Sequence, residues 1–313
     1  MAATLRIVFF GTPEFAVPSL RALLASSDPV VEIVCQSDKP VGRGQHVAMP
    51  PVKQVALKHG IPILQPAKLR TPEFLEVLRD CSPDMIVVAA YGKILPTAVL
   101  DLPVHGCINV HASLLPKYRG AAPIQWAILR DEARTGITIM RMNERMDAGD
   151  ILLQRTVAIG AEETYGELQT RLADLGALAL LDALAQLHDG TLAAHPQREE
   201  EMTLAPMIHK EQGRIDWREP APAIARKVRA FNPWPSAFTR FAGKLLKVHR
   251  AHATEEPTSA LAGTIMRIDA GIAVATGMGT LILDEIQLEG RKRLSGAEFA
   301  RGGHVQAGMT LGD

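Results

Sequence analysis

The chain has 313 residues, of which 47% are hydrophobic and 22% charged, a size and balance typical of a globular protein with room for two domains. Its 34 Lys and Arg cancel its 34 Asp and Glu, so net charge provides no overall attraction to nucleic acid. No apolar run approaches the ~20 residues of a membrane helix and no secretory signal opens the chain, so we expect a cytoplasmic protein without membrane contact.

The first part of the chain alternates short apolar runs with helical patterns. Strands are predicted for residues 5–10, 30–35, 85–90, 107–111 and 136–142. The first four scarcely alternate with polar residues, which is typical of strands buried on both faces. Helices are predicted for residues 15–25, for 53–59 before Gly60, from the Thr71 cap onwards, from Ala122 onwards and for 164–188. This order predicts an α/β fold over residues 1–190: a Rossmann-like, mostly parallel sheet with helices on both faces.

The composition and hydrophobic pattern of the sequence change after residue 190. Residues 191–208 are polar and irregular and are interpreted as a linker. Residues 209–313 contain one helix, 221–231, followed by short β-like runs separated by glycines, which predicts a smaller carboxyl-terminal β-barrel of OB-like type. This part holds 15 Lys and Arg against 11 Asp and Glu, whereas residues 1–208 hold 19 against 23. The excess indicates a weak preference of the carboxyl-terminal part for a polyanion.

The first strand runs into the turn "FFGTPEF", the position at which a dinucleotide fold places its phosphate loop. The G-x-G-x-x-G pattern is missing, and Glu14 would repel a pyrophosphate at a helix start. A nicotinamide dehydrogenase is therefore disfavoured.

Asn109 and His111 end the fourth predicted strand and, two residues apart, project from the same face. The carboxyl end of a parallel strand faces the crevice in which open α/β sheets bind ligands. An Asn amide can donate to a developing oxyanion, and a His can exchange a proton. Asp147 would hold the imidazole if the fold brings it near. From the residues alone, a structural role for a buried strand-end Asn or His remains the commoner alternative.

The sequence lacks the motifs of several other catalytic and metal-binding sites. Ser113 does not lie in a G-x-S-x-G elbow, and neither H-E-x-x-H nor a P-loop is present, so no metal is expected. The three cysteines contain no CxxC pair and are expected to be reduced thiols: Cys35, Cys81 and Cys107.

Residues 35–53 form a long connection that carries Lys39 and places Arg43 between Gly42 and Gly44. A mobile arginine is suited to closing on a phosphate backbone, although a solvated surface loop is the commoner case for charged segments.

The run "INVHASLLPKYRGAAPIQWAI", followed by "GITIM" and "MDAGDIL", resembles the signature of the folate-dependent formyltransferase superfamily. "GRIDW" and "VRAFNPWPSAF" are similar to the branch that formylates methionyl initiator tRNA. The resemblance implies transfer of a formyl group from 10-formyltetrahydrofolate, as co-substrate, to the amino group of that tRNA, by a monomer that needs no metal. By position, it implies the catalytic residues Asn109, His111 and Asp147. It also implies the folate-contacting residues Ser113, Leu114, Leu115 and Pro116.

The same resemblance places tRNA contacts at Arg43, together with Lys39 of the same loop and Lys210 before the second domain. Met207 stands where an earlier lysine is usual in this branch, so that contact is in doubt. Two alternatives stay open: a formyltransferase acting on a small amine, and an RNA-binding protein that keeps the fold without catalysis.

Overall fold

The computed structural model describes residues 4–41, 46–268, 271–302 and 305–312. The chain separates into two compact units. Unit 1 comprises Met1–Pro123, Arg134–Ala158 and Gln169–Pro206, and unit 2 comprises Ile124–Ala133, Ile159–Leu168 and Met207–Asp313. The domain boundaries drawn from the sequence, at residues 190 and 208, stay a prediction.

Unit 1 is built on a seven-stranded sheet in the order β5-β2-β1-β6-β7-β8-β9. In chain order the strands of unit 1 are β1 (Ile7–Gly11), β2 (Val30–Val34), β3 (Lys39–Val41), β4 (His46–Ala48), β5 (Ile63–Leu64), β6 (Met85–Ala89), β7 (Cys107–His111), β8 (Arg134–Arg141) and β9 (Ile151–Ala158). Strands β3 and β4 pair with each other in a separate two-stranded sheet. The helices up to residue 188 are α1 (Val17–Leu24), α2 (Pro51–His59), α3 (Pro72–Asp80), α4 (Thr97–Leu100), α5 (Pro123–Leu129) and α6 (Tyr165–His188), of which α5 and α6 have residues in both units.

The predicted mostly parallel α/β sheet is confirmed. Strands β5, β2, β1, β6 and β7 pair in parallel, whereas β8 and β9 extend the sheet antiparallel. Every residue of β1 and β6 is buried, as expected for strands covered on both faces. Strand β9 was missed by the sequence pattern because this edge strand is only partly buried and its apolar residues do not alternate cleanly.

The two faces of the sheet are packed by different helices. Val8, Phe10, Ile86 and Val88 lie on one face, in a cluster with the buried side chains of α3 and α4. The register pairs Val88 with Asn109, so Asn109 and His111 project from this same face, beyond the apolar cluster. Val110 points the other way, to α6, where a Cβ built on Gly176 would approach it to 2.8 Å. This arrangement places the polar pair at the carboxyl edge of the sheet.

Local capping fixes the ends of the helices as the sequence predicts. The Thr71 hydroxyl accepts a hydrogen bond from the Phe74 backbone N–H at 3.3 Å, and Pro72 occupies the first turn of α3. Helix α2 ends at Gly60, which has φ of +67° and is left-handed.

Unit 2 contains an antiparallel sheet in the order β10-β11-β14-β13-β12, with β15 paired to β14, and this half-barrel confirms the smaller second β domain. Its elements are α7 (Ala221–Ala230), β10 (Ala237–Phe241), β11 (Lys244–Thr254), β12 (Ile265–Arg267), β13 (Ile272–Ala275), β14 (Thr280–Leu288), β15 (Leu294–Ser295) and α8 (Gly296–Arg301). Helix α7 buries Ile224 and Val228 in one cluster with apolar residues of β11, β13 and β14. The Trp217 indole N–H is satisfied inside this unit by the Thr239 hydroxyl at 3.1 Å.

One buried acid in unit 1 makes stability depend on pH. Glu32 in β2 is 6% exposed, and burial raises the pKa of its carboxyl above the usual 4.5. Its Oε2 lies 3.9 Å from the Cys81 thiol, while Oε1 has no hydrogen-bond partner in the described part of the chain. The folded state therefore binds this proton more tightly than the unfolded state, and stability falls as pH rises from 4.5 through the raised folded pKa.

We expect Glu32→Gln to abolish this fall in stability with rising pH. The free energy of unfolding of the variant relative to wild type should rise with pH across that window and level off above it. Urea unfolding at a series of pH values measures the difference. Glu76→Gln is the matched control, because it removes a charge from an exposed position on α3. Equal pH dependence in wild type and Glu32→Gln would contradict this origin.

Candidate active site

Strand β7 delivers the first candidate group. Asn109 is half-buried, and its carboxamide makes no hydrogen bond to any residue in the described ranges. A buried or half-buried carboxamide is normally paired within the protein. An unpaired one at the carboxyl edge of the sheet is therefore available to a ligand that enters this crevice.

His111, two residues along β7, is 5% exposed and tightly held. Its Nε2 lies 3.0 Å from the Tyr118 carbonyl oxygen. Because a carbonyl only accepts, Nε2 carries a proton and donates it in this contact. The other nitrogen, Nδ1, therefore faces Asp147, whose Oδ1 lies 3.7 Å away. That distance suits an ion pair when the ring is protonated, and it is longer than the donor–acceptor distance of a good hydrogen bond.

Asp147 lies in the turn between β8 and β9, and the fold brings it to the end of β7. Its second oxygen, Oδ2, accepts the Gly120 backbone N–H at 2.9 Å. Gly120 has φ of +126°, and a Cβ at this position would meet the Ala205 carbonyl oxygen at 2.6 Å, so glycine is required there. Asp147 itself has φ of +50°, an uncommon conformation for a residue with a side chain. The carboxylate is thus oriented by a backbone donor on one side and faces the imidazole on the other.

The segment after β7 is fixed by internal hydrogen bonds. The Ser113 hydroxyl donates to the Lys117 carbonyl at 2.6 Å, and Ser113 is fully buried. The Thr138 hydroxyl donates to the Ser113 carbonyl at 2.7 Å and accepts the Leu115 N–H at 3.1 Å. Leu114 and Pro116 are half-buried, whereas Leu115 is buried. The folate contacts expected of residues 113–116 stay a prediction, and the Ser113 hydroxyl is already committed within the loop.

Residues 195–205 cover this loop in the folded chain. Thr203 accepts the Tyr118 N–H on its hydroxyl at 2.9 Å and the Arg119 N–H on its carbonyl at 2.9 Å. Gln197 reaches the backbone of the Asp147 turn, donating to the carbonyls of Asp147 and Gly149 at 2.9 and 2.7 Å. Sequence reasoning missed these residues, because an irregular polar stretch carries no periodic signal.

Two of the three expected tRNA-contacting residues, Lys39 and Lys210, lie in the described ranges. Lys39 is exposed and its Nζ donates to the Gln36 side chain at 3.3 Å. Lys210 is exposed at the start of a short 3-10 helix, Lys210–Gly213. Arg43 lies outside the described residues. These three contacts stay predictions.

The two buried thiols do not form a reactive centre near neutral pH. Burial raises the pKa of Cys35 to about 11 and that of Cys107 to about 12, so neither is a thiolate near neutral pH. Among described residues, no group of three or more His, Cys, Asp or Glu side chains is arranged to hold a metal ion. No helix within these ranges combines the length and apolar character required to cross a membrane.

Comparison with known proteins places the chain among formyl transferases. The formyl transferase family profile matches residues 5–184, and the profile of the formyl transferase carboxyl-terminal domain matches residues 207–304. The chain is 50% identical to the methionyl-tRNA formyltransferase of Myxococcus xanthus, over 97% of this chain and 96% of that protein. This chain belongs to the methionyl-tRNA formyltransferase family. The enzyme of that name from Geobacter sulfurreducens is 47% identical and covers 99% of this chain, with 98% of its own length matched.

Solved structures of low sequence identity share the fold of this family member. HypX from Aquifex aeolicus, in complex with tetrahydrofolic acid, superposes with a TM-score of 0.62 at 19% identity over 95% of this chain, which spans 47% of the HypX chain. WlaRD, a sugar 3N-formyl transferase solved in the presence of dTDP and 5-N-formyl-THF, gives a TM-score of 0.67 at 17% identity, over 93% of this chain and all of that one.

Proposed function

We propose that this protein transfers the formyl group of 10-formyltetrahydrofolate to the free amino group of methionyl initiator tRNA. The observation that carries the proposal is the arrangement at the carboxyl end of β7. Asn109 and His111 project from one face of the strand, and the His111 Nδ1 lies 3.7 Å from the Asp147 Oδ1. Near full-length similarity to enzymes named methionyl-tRNA formyltransferase supports the choice of acceptor.

The residues present fit a formyl donor. The unpaired, half-buried Asn109 carboxamide supplies N–H groups with no partner among the described residues. Residues 113–116, which follow β7 in the chain, form a segment whose backbone is fixed by hydrogen bonds. The donor brings the activated formyl group, and the protein has to bind and orient it.

The first chemical task of the protein is to stabilise negative charge. Attack of the amine on the formyl carbon places charge on the formyl oxygen. The Asn109 amide donates to that oxygen, and a protonated His111 contributes positive charge. A well-placed donor of this kind contributes about 3 kcal/mol to the transition state.

The second task is to move a proton from the amine. An α-amino group titrates near pH ~8, so a useful fraction is already neutral and nucleophilic at physiological pH. The proton that the amine loses during attack must reach a base. The Asp147 carboxylate, oriented by the Gly120 N–H and paired with His111, is the proposed acceptor for it. The same proton is then passed to the folate nitrogen as the bond between that nitrogen and the formyl carbon breaks and tetrahydrofolate leaves.

For the tRNA itself, we propose that Lys39, Arg43 and Lys210 contact phosphates, with residues 209–313 acting as a tRNA-binding domain. Such contacts position a nucleic acid without reading its sequence. A local basic track suffices for this purpose, so the net charge of zero is compatible with tRNA binding. The proposed enzyme acts as a monomer in the cytoplasm.

The test uses formyl-labelled 10-formyltetrahydrofolate with three acceptors in parallel: methionyl initiator tRNA, a methionyl elongator tRNA and a small amino sugar nucleotide. We expect label only on the initiator tRNA. Label on the amino sugar alone would instead establish a small-amine formyltransferase. Binding of tRNA without any transfer would indicate a non-catalytic member of the fold.

Arg43→Ala is expected to raise the KM for methionyl initiator tRNA while leaving the KM for the formyl donor unchanged. If Arg43 contacts one phosphate, the slope of log affinity against log salt should fall by about 1. Steady-state kinetics at several salt concentrations measure both effects, with Arg198→Ala as a control from an exposed position outside the loop. An unchanged KM and salt slope would remove Arg43 from the proposed tRNA contacts.

A further inference from the structure

The side chain of Gln197 joins the two segments that set the His111–Asp147 geometry. It lies in the stretch 191–208, which has no helical or strand pattern in the sequence. Its Nε2 donates to the carbonyls of Asp147 and Gly149, and its Oε1 accepts from the Arg119 guanidinium at 3.0 and 2.8 Å. We propose that Gln197 is a positioning residue for catalysis, which holds the Asp147 turn against the segment 118–120. This inference rests on the proposed function.

The orientation of the Gln197 amide is determined by its partners. A guanidinium only donates, so the atom facing Arg119 must be the oxygen. Both carbonyls only accept, so the atom facing them must be the nitrogen. All four contacts are therefore satisfied by one amide orientation, and neither Glu nor an apolar side chain can reproduce them.

Arg119 is itself fixed. It is 4% exposed and also donates to Glu199, with Nη1–Oε2 and Nη2–Oε1 distances of 3.1 Å each. The Arg119 contact holds the pKa of the Glu199 carboxyl below its usual range, so this acid is ionised at neutral pH. Arg119 stands between Tyr118, whose carbonyl holds His111, and Gly120, whose N–H holds Asp147. Through Arg119, Gln197 therefore connects the Asp147 turn to the backbone segment 118–120, which contacts both His111 and Asp147.

The Asp147 turn needs such support. Asp147 has φ of +50°, an uncommon left-handed conformation for a residue with a side chain, and contacts from its surroundings help to hold it. The Gly149 position is equally constrained, because a Cβ there would overlap the Arg141 carbonyl. Removing the Gln197 donor releases two carbonyls of this turn and leaves the carboxylate free to shift from His111.

The test is Gln197→Glu, which keeps the shape and the Arg119 contact but places a carboxylate oxygen against the two carbonyls. We expect kcat to fall about 10- to 100-fold, since displacement of a reacting group by about 1 Å can cost that much. The KM for either substrate should stay within about twofold, because ground-state binding is not altered. Gln197→Met, without donor or charge, should show the same kcat loss. Arg198→Ala, next in the chain and exposed, should keep wild-type kcat.

A double-mutant cycle separates positioning from general stabilisation. If Gln197 acts through Asp147, then Gln197→Glu should have little further effect on kcat in the Asp147→Asn background. Thermal melting of each variant gives the fraction folded, against which kcat is corrected. The inference would be overturned if the fold losses in kcat of Gln197→Glu and Asp147→Asn simply multiplied in the double mutant. Wild-type kcat in both Gln197 variants would also overturn it. A wild type that formylates no amine would overturn the proposed function, whereas an active wild type with unaffected Gln197 variants overturns only the positioning role.

Discussion

Asn109→Ala is expected to lower kcat by about 10²- to 10³-fold, the usual loss on removing one donor to a developing oxyanion. The KM for methionyl-tRNA should change little, since the amide acts on charge that appears during transfer. Because the Asn109 side chain makes no hydrogen bond within the described ranges, its removal breaks no internal pair. We expect the free energy of unfolding to stay within about 0.5 kcal/mol of wild type.

Single-turnover kinetics with saturating formyl donor measure the chemical step for this variant. Asn109→Asp is the matched comparison, because it preserves shape and replaces the donor by an acceptor. It should be at least as impaired as the alanine variant. Near-wild-type turnover in either variant would remove Asn109 from the oxyanion role.

Asp147→Asn is expected to reduce turnover by about 10²- to 10⁴-fold, the range attributed to a positioned acid–base group. The substitution is mild for the backbone, since Asn tolerates the left-handed conformation found at φ of +50°. The carboxamide oxygen can still accept the Gly120 N–H, so the turn should keep its place. The loss would therefore report the missing charge and base.

Asp150→Asn is the control for this prediction. It removes the same charge only three residues along the chain, from a side chain that has no role in the proposed site. It should retain wild-type turnover. Circular dichroism and thermal melting establish that both variants are folded. Wild-type rates in Asp147→Asn would show that the proton leaves the amine without this carboxylate.

Both predictions describe a site that acts by orientation. Asn109 is held by a strand of the sheet, His111 by the Tyr118 carbonyl, and Asp147 by the Gly120 N–H. Preorganised donors and charges of this kind need no rearrangement during reaction, and electrostatic stabilisation of this type is commonly the largest contribution to catalysis. The Gln197 and Arg119 contacts extend the same arrangement outward by one layer of side chains.

The strands that carry the site could be predicted because their signal is local. The apolar runs of β1, β6 and β7 reflect burial on both faces, and the spacing of Asn109 and His111 places both on one face of β7. Helix ends at Thr71 and Gly60 follow from capping preferences within a few residues. The role of Asp147 was implied by the resemblance of motifs within residues 108–152 to a known signature.

Contacts between distant parts of the chain were decided by the tertiary structure alone. The amino-acid sequence by itself determined an α/β sheet, a second β domain and a polar pair at a strand end, because periodicity and capping act between near neighbours. That Asp147 reaches His111, and that Gln197 reaches the Asp147 turn across 50 positions, depends on how strands β7, β8 and β9 pair and where the chain returns after α6. No local pattern encodes such a meeting, since each partner is an ordinary polar residue until packing fixes its neighbours.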